Sequence, residues 1–373
     1  MTAGVTTTLC AWLYSLFVFL LLFPQPAAWA DLAQSREITK AAMADTSSWP
    51  LPPEGPSAAK NKMIVFIAED LRHGGTLGVG TGVCEAAAAI GWQCQVVDIG
   101  SLDARREAIF AKVFALKPDG IVLGGIESRS NLRYLERFKS ADIPIVGWHV
   151  APFPGEVAGT PIVVNVTTDS REVAKVAAHY VIADSDGKAS VILFNDSRFA
   201  IAQKKTDIMA QIIGECEGCN VLEILDVSLD SVGVQMPEII SALLSRYDEQ
   251  WNYSLGINDL YYDNSVTSLV LAGKEPAGMP YNVSAGDGSA SAFMRIRSNS
   301  YQKATVPEPL LFHGWQLVDE LNRIFRKQPP SGYVTPPHIV TRDNIWEQDG
   351  GLSLFDIQNN YRDHYTRSWT GAR

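Results

Sequence analysis

The residues best suited to chemistry in this sequence fall just after short apolar runs. Glu69, Asp70 and Arg72 follow Met63 to Ala68, and Trp148 and His149 close the run that begins at Pro144. Asn195 and Asp196, then Asn258 and Asp259, then Asp287 occupy the same kind of position further on, and Glu308 lies between two prolines. Arg198 and Phe199 follow the first of these pairs closely. Carboxylates and amides exchange hydrogen bonds with hydroxyl groups, and do so more strongly where water is excluded. An aromatic face covers the C–H side of a ring. A neutral polyol needs that mixture.

Each position also has a plainer role. Asp287 before Gly-Ser suits a helix N-cap, as do Asn258 and Asp259 before Leu260. Asp70 and Arg72 can form a surface ion pair, Glu308 can be a solvated hinge residue, and Trp148 can be a packed wall. Tyr261 and Tyr262 are neighbours on one helix, so at most one faces a cleft, and Tyr261 is the candidate. Signatures of catalysis are missing: no G-x-S-x-G elbow, no P-loop, and no Rossmann spacing among Gly74, Gly75, Gly78 and Gly80. His149 beside acidic residues could serve acid–base work, but no nucleophile accompanies it. No His pair has metal-ligand spacing, so neither metal nor cofactor is expected. The glycine-rich LGVGTGV could cradle a phosphate, though helix packing explains small residues equally well.

The elements that must position these residues alternate. Strands are expected at Met63 to Ala68, Gln95 to Ile99, Gly120 to Gly124 and Pro144 to Trp148. Helices lie between them at Leu77 to Ile90, Arg105 to Leu116 and Asn131 to Ala141. The strands are continuous apolar runs, as parallel strands buried on both faces are. The pattern restarts at Ile162 to Val166 and the helix Arg171 to Ile182. Strands Ala189 to Phe194, Val221 to Val227, Ser254 to Ile257 and Val283 to Ala285 then alternate with helices near 200–214, 235–246, 260–272 and 290–297. Two consecutive sets of this kind predict two similar doubly wound α/β lobes, each with a parallel sheet. In such sheets ligands bind beyond the carboxyl ends of the strands, which is where the candidates stand.

The ends and totals bound the setting. The first thirty residues hold no Lys, Arg, Asp or Glu, and the apolar run Ala11 to Phe23 is broken by Pro24 and Pro26. Ala28-Trp29-Ala30 then supplies a small-x-small site, so residues 1–30 are expected to be a signal peptide cleaved after Ala30. The run is shorter than the ~20 apolar residues of a membrane span. The leader lacks a basic residue, however, and an uncleaved anchor is the alternative. A net charge of −10 argues against nucleic-acid partners. Beyond Cys10 the cysteines are Cys84, Cys94, Cys216 and Cys219, an even number that suits an oxidising compartment. Cys216 and Cys219 bracket a loop after a helix and read as a structural staple instead of a redox pair. Cys84 and Cys94 are either a second disulfide or two buried thiols. Residues 31–61, rich in Ala, Ser and Pro, read as a leader or linker. The tail 347–373 is expected to pack over a lobe or stay partly disordered.

The segments KPDGIVLGG, IPIVGWH, GIND, VSAGDGS and KATVPEP occur in the order and approximate spacing of the ribose/galactose-type periplasmic binding proteins, and the chain resembles that family over about residues 62–345. The resemblance implies a type I periplasmic binding fold with a three-crossing hinge, the first lobe at 62–166 plus 309–337 and the second at 167–308 plus 338–346. It further implies that Asn258 is the ligand amide, that Asp287 accepts sugar hydroxyls, and that Glu308 stands where relatives often carry Gln. His149 occupies the place of an Asp, and Val150 that of the following Arg. Where ribose-type members have two Phe that clamp the ring, this chain has Gly74-Gly75-Thr76, leaving Trp148 with Tyr261 or Tyr262 as replacements. The partners implied are a sugar or polyol and an ABC permease of the inner membrane, with the receptor a monomer in the periplasm. A periplasmic sensor serving a histidine kinase or chemoreceptor would share these features. A sugar-responsive repressor would need a DNA-binding module and basic surface that the sequence lacks.

Overall fold

The computed structural model describes residues 1–2, 27–348 and 354–371. The first lobe is built on β1 (Met63–Ala68), β2 (Gln93–Asp98), β3 (Gly120–Gly124), β4 (Ile145–Trp148) and β5 (Ile162–Val166), after the helix α1 (Ala27–Ala42). These five strands form one sheet in the order β2-β1-β3-β4-β5, and every pairing is parallel. Helices α2 (Gly74–Ala89), α3 (Asp103–Ala115) and α4 (Leu132–Lys139) make the crossovers. Their apolar faces meet the central strands, which are buried on both sides, as continuous Ile/Val/Phe/Leu runs require.

The second lobe repeats the plan. It contains α5 (Ser170–Asp184), β6 (Ser190–Asn195), α6 (Ala200–Glu215), β7 (Asn220–Asp226), α7 (Val232–Tyr247), β8 (Tyr253–Gly256), α8 (Leu260–Asp263) and α9 (Val266–Leu271). After these come β9 (Tyr281–Ser284), α10 (Ala290–Ser298) and β10 (Ala304–Thr305), and β11 (Val340–Thr341) and α12 (Ile345–Gln348) close the lobe. The sheet order is β11-β10-β9-β8-β6-β7, parallel except for the antiparallel edge strand β11. Between β10 and β11 the chain visits the first lobe as α11 (Leu310–Phe325). The lobes are therefore linked at 167–169, 306–309 and 326–339.

The glycines of LGVGTGV are explained by packing. A Cβ on Gly82 would stand 2.5 Å from the carbonyl oxygen of Leu311, and one on Gly314 would stand 2.4 Å from the Val83 nitrogen. Helices α2 and α11 touch backbone to backbone there, which only glycine allows.

Both disulfides are present, Cys84–Cys94 with Cα atoms 5.3 Å apart and Cys216–Cys219 with 5.2 Å. The first ties α2 to β2, and the second closes the loop between α6 and β7.

The segment 31–61 differs from the leader or linker expected of it. Helix α1 packs against α5, with Ala42 in the core of the second lobe and Leu32, Ile38 and Met43 against it. Ser35 Oγ lies 2.8 Å from His179 Nδ1, and the Ile339 amide donates to the Ala42 carbonyl. The chain then crosses to the first lobe as an extended strap. Asn322 Nδ2 donates to Pro56 O at 2.8 Å, Asn322 Oδ1 accepts from the Ala59 amide at 2.9 Å, and Arg323 donates to Pro53 O at 2.7 Å. Prolines without amide donors suit a strap that is held through its carbonyls. The tail packs over the first lobe as α13 (Tyr361–Thr370), whose Trp369 stacks on Trp315 of α11 at 5.5 Å. Residues 3–26, on which most of the signal-peptide expectation falls, lie outside the described residues. Among the described residues no helix is long and apolar enough to cross a membrane.

Candidate functional site

The carboxyl ends of the two sheets face each other across a narrow cavity of about 60 Å³, at the strand-end position where small-molecule sites of such sheets lie. From the first lobe it is lined by Glu69, His73, Thr76, Gly125, Trp148 and His149. From the second come Phe199, Ile201, Ala202, Lys205, Leu229, Ile257, Asn258 and Asp287. Past Glu69 and Phe199 it opens into a wider polar mouth that includes Arg106, Asn131, Tyr134 and Arg198.

Asp287 follows β9 and is held by Asn258, whose Nδ2 donates to Asp287 Oδ2 at 2.9 Å. Asn258 also accepts from the Leu260 amide through Oδ1, so it meets the carboxylate and caps a helix turn at once. Asp287 is not the cap of α10; Ser289 takes that role. Behind this pair, Asp259 is fully buried and accepts from the Gly288 and Ser289 amides and from Gln302 Nε2. Burial pushes its carboxyl up to about 6 against these donors. It fixes the turn that presents Asp287. Opposite stands Gly75, where a Cβ would lie 2.4 Å from Asp287 Oδ2. The glycines found in place of an aromatic clamp thus let the carboxylate of one lobe reach the helix start of the other.

Trp148 ends β4 and is buried, its ring stacked on His149 at 3.6 Å between centroids and 10° between planes. His149 has φ 53, a left-handed conformation that a non-glycine residue adopts only when its surroundings enforce it. Its Nε2 meets Glu308 Oε1 at 2.7 Å. Glu308 also accepts from Thr167 Oγ1 and the Thr168 amide, and His313 Nδ1 lies 3.3 Å from its Oε2 without hydrogen-bond geometry. Burial opposes ionisation of Glu308, but the charge and hydrogen bond of His149, with His313 and Lys205, outweigh it and hold the carboxyl down to about 2. Burial also keeps His313 neutral, lowering it to about 4. Thr335 Oγ1 accepts or donates at 2.7 Å to Thr168 and at 2.9 Å to His313. One buried cluster thereby ties together all three links between the lobes.

Several expected positions lie off the cavity wall. Asp70 is buried but clasped by Arg72, whose Nε stands 3.0 Å from both oxygens while its side chain remains 68% exposed. This is a rim ion pair, and Asp70 is spent on it and on the Arg72 amide. Asn195 accepts from Thr206 Oγ1 and donates to Gln203 and Asp226, fastening the start of α6. Tyr261 points into the core, its hydroxyl donating to Val227 O at 2.8 Å; Tyr262 does the same to Val283 O. Neither replaces the aromatic clamp. Glu308 belongs to the hinge cluster and does not line the cavity. Asp70, His73 and Asp230 bring potential metal-ligand atoms within 4.8 Å of one another, but Arg72 and Arg198 already hold the two carboxylates.

The sequence reading missed Lys205, His73 and Thr76. A signal existed for Lys205: it falls in the stripe Ala202, Thr206, Met209, Ile213 on the buried face of α6. A lysine in that stripe is out of pattern. Glu69, just past β1, lines the cavity, and Arg106 donates to its carboxylate through Nη1 and Nη2 at 2.8 and 2.7 Å.

Two α/β lobes, three links and a cavity at the strand ends define a hinged solute-binding protein. The profile of the periplasmic binding protein domain matches residues 64–327, and the chain belongs to that family. No curated protein matches it in sequence. Among solved structures it is similar to a glucose-galactose binding protein from Geobacillus stearothermophilus, at 18% identity and TM-score 0.66 over 77% of this chain and 99% of that one. It is similar also to two ABC transporter solute-binding proteins from Agrobacterium vitis. The one with bound allitol has 19% identity and TM-score 0.65, covering 77% of this chain and 98% of that one. The one bound to α-D-tagatopyranose has 18% identity and TM-score 0.68, covering 79% and 99%.

Proposed function

We propose that this protein is an exported receptor that captures a sugar or polyol between its lobes and delivers it to an ABC permease, without catalysing a reaction. The observation that carries the reading is the cavity itself, where Asp287 and Asn258 face Trp148 and His149 across the strand ends. A carboxylate and an amide with spare hydrogen-bonding capacity suit hydroxyl groups, and Trp148, His149 and Phe199 offer faces to C–H groups. Solved relatives of this fold bind such ligands, allitol and tagatopyranose among them. Two disulfides are consistent with an oxidising compartment, in keeping with export after Ala30.

The mechanism is a population shift. A ligand that touches both walls favours the closed arrangement, and a permease reads that arrangement. The test is a thermal-shift screen of pentoses, hexoses, polyols and their oxidised forms on the purified protein. The correct ligand raises the melting temperature with concentration as RT ln(1 + [L]/Kd) requires. If amino acids or aromatic acids stabilise the protein and no carbohydrate derivative does, the reading is wrong.

A further inference from the structure

Lys205 is a cation on the cavity wall that no hydrogen bond or ion pair engages among the described residues. Its side chain belongs to α6, only 2% of the residue is exposed, and it lines the cavity beside Ile201 and Ala202. No hydrogen bond or ion pair engages its ammonium among the described residues. The stem is enclosed and the ammonium is left to the cavity, where water or a ligand must complete its hydrogen bonds.

The neighbouring carboxylates are committed elsewhere. Glu69 is clasped by Arg106. Glu308 is near enough to feel the charge of Lys205, but its oxygens are taken by His149, Thr167 and Thr168. Asp287 is held by Asn258 on one oxygen. Nearby arginines are engaged as well: Arg72 on Asp70, Arg106 on Glu69, and Arg198 on Asp196 and Asp230, while Arg133 of the mouth lies over the Tyr134 ring, off the cavity wall. One cation without a protein partner among the described residues thus faces the cavity, beside Ile201 and Ala202.

We propose that the ligand is a carbohydrate acid, an aldonate or uronate, whose carboxylate pairs with Lys205 while its hydroxyls meet Asp287 and Asn258. The inference deepens the receptor reading and rests on it. A single ammonium matches a carboxylate; a phosphate carries more charge and would need a second free cation, which the cavity wall does not offer. Asp287 repels an anion placed beside it, so the acid lies with its carboxylate toward α6 and its hydroxyl end toward β9. A charge-assisted hydrogen bond in a water-poor site is among the stronger contacts a ligand can make.

The experiment is calorimetric titration with matched pairs: galactose against galacturonate and galactonate, glucose against glucuronate and gluconate, arabinose against arabinonate. The account expects an acid to bind at least about 10-fold tighter than its neutral parent. Lys205→Gln removes that preference, bringing the affinity for the acid down to or below that for its neutral parent, and Lys205→Arg keeps it. If Lys205→Gln fails to fold, the acid-to-neutral affinity ratio of the native protein and of Lys205→Arg carries the test. A neutral sugar binding tighter than every acid overturns the proposal and leaves the receptor reading intact. Binding of neither class overturns both.

Discussion

Two polar clusters lie side by side at the centre of this molecule, and they are built on opposite principles. In the hinge cluster the oxygens of Glu308 are engaged by His149, Thr167 and Thr168, and Thr335 joins Thr168 to His313. In the cavity cluster the valences are left open: Asp287 has one protein partner, and Lys205 has none among the described residues. A buried network whose oxygens are engaged specifies structure, whereas open valences on a cavity wall leave room for a ligand's hydrogen bonds. His149 belongs to both. It lines the cavity and its Nε2 meets Glu308, so one residue joins the cavity wall to the links between the lobes.

Substitutions should separate the two clusters, and the largest effect belongs to the hinge. Glu308→Ala leaves His149 and the Thr168 amide unpaired in a buried site, and should cost about 3–5 kcal/mol in urea denaturation. A loss below about 1 kcal/mol would mean that the cluster does not join the links. Asp287→Ala should do the reverse, lowering ligand affinity by about 100-fold in calorimetry with a stability change near 1 kcal/mol or less. Equal effects of both variants on binding would erase the distinction.

Gly75→Ala tests the contact between the lobes. The added Cβ meets Asp287 only when the lobes are together, while alanine favours the helix itself. Affinity should fall about 10-fold, and the unliganded protein should unfold no more easily than the native one. A variant that is destabilised without ligand would place the clash in the resting structure.

Acid provides the smallest and most graded comparison. Burial lowers His313 from 6.5 to about 4, so the unfolded chain takes a proton over that window while the folded one does not. Its contribution is therefore present above 6.5 and lost as pH falls toward 4. The depressed carboxyl of Glu308 acts in the same direction, from 4.5 down to about 2. Asp259, raised from 3.8 to about 6, acts in the opposite direction and loses its contribution as pH rises through that range. Replacing His313 by Gln should flatten the part of the stability profile between pH 6.5 and 4. An unchanged profile would show that His313 takes up its proton in the folded state.

Much of this architecture was legible in the sequence, because parallel strands buried on both faces write themselves as unbroken apolar runs. The strand-end rule then found Trp148, His149, Phe199, Asn258 and Asp287 on the cavity wall. It could not decide which of two adjacent polar residues turns inward. Asp70 and Asn195 stand at the expected depth but spend their hydrogen bonds locally, and Tyr261 is drawn into the core by the Val227 carbonyl. Lys205 escaped because it comes from a helix face and not from a strand end. The helix α1 and the strap after it escaped for a different reason. Their Ala, Ser and Pro content carries little pattern, and what orders them is packing on α5 and carbonyl contacts to Asn322 and Arg323.

The central claim is that a carbohydrate ligand binds in this cavity by bridging both lobes. Hydrogen exchange on the purified protein, with and without the sugar or sugar acid that stabilises it, tests this most directly. The account predicts slowed exchange on both walls together, at 69–76 and 147–150 in the first lobe and at 199–206 and 285–289 in the second. Protection confined to one lobe, or to a surface away from these segments, would contradict it.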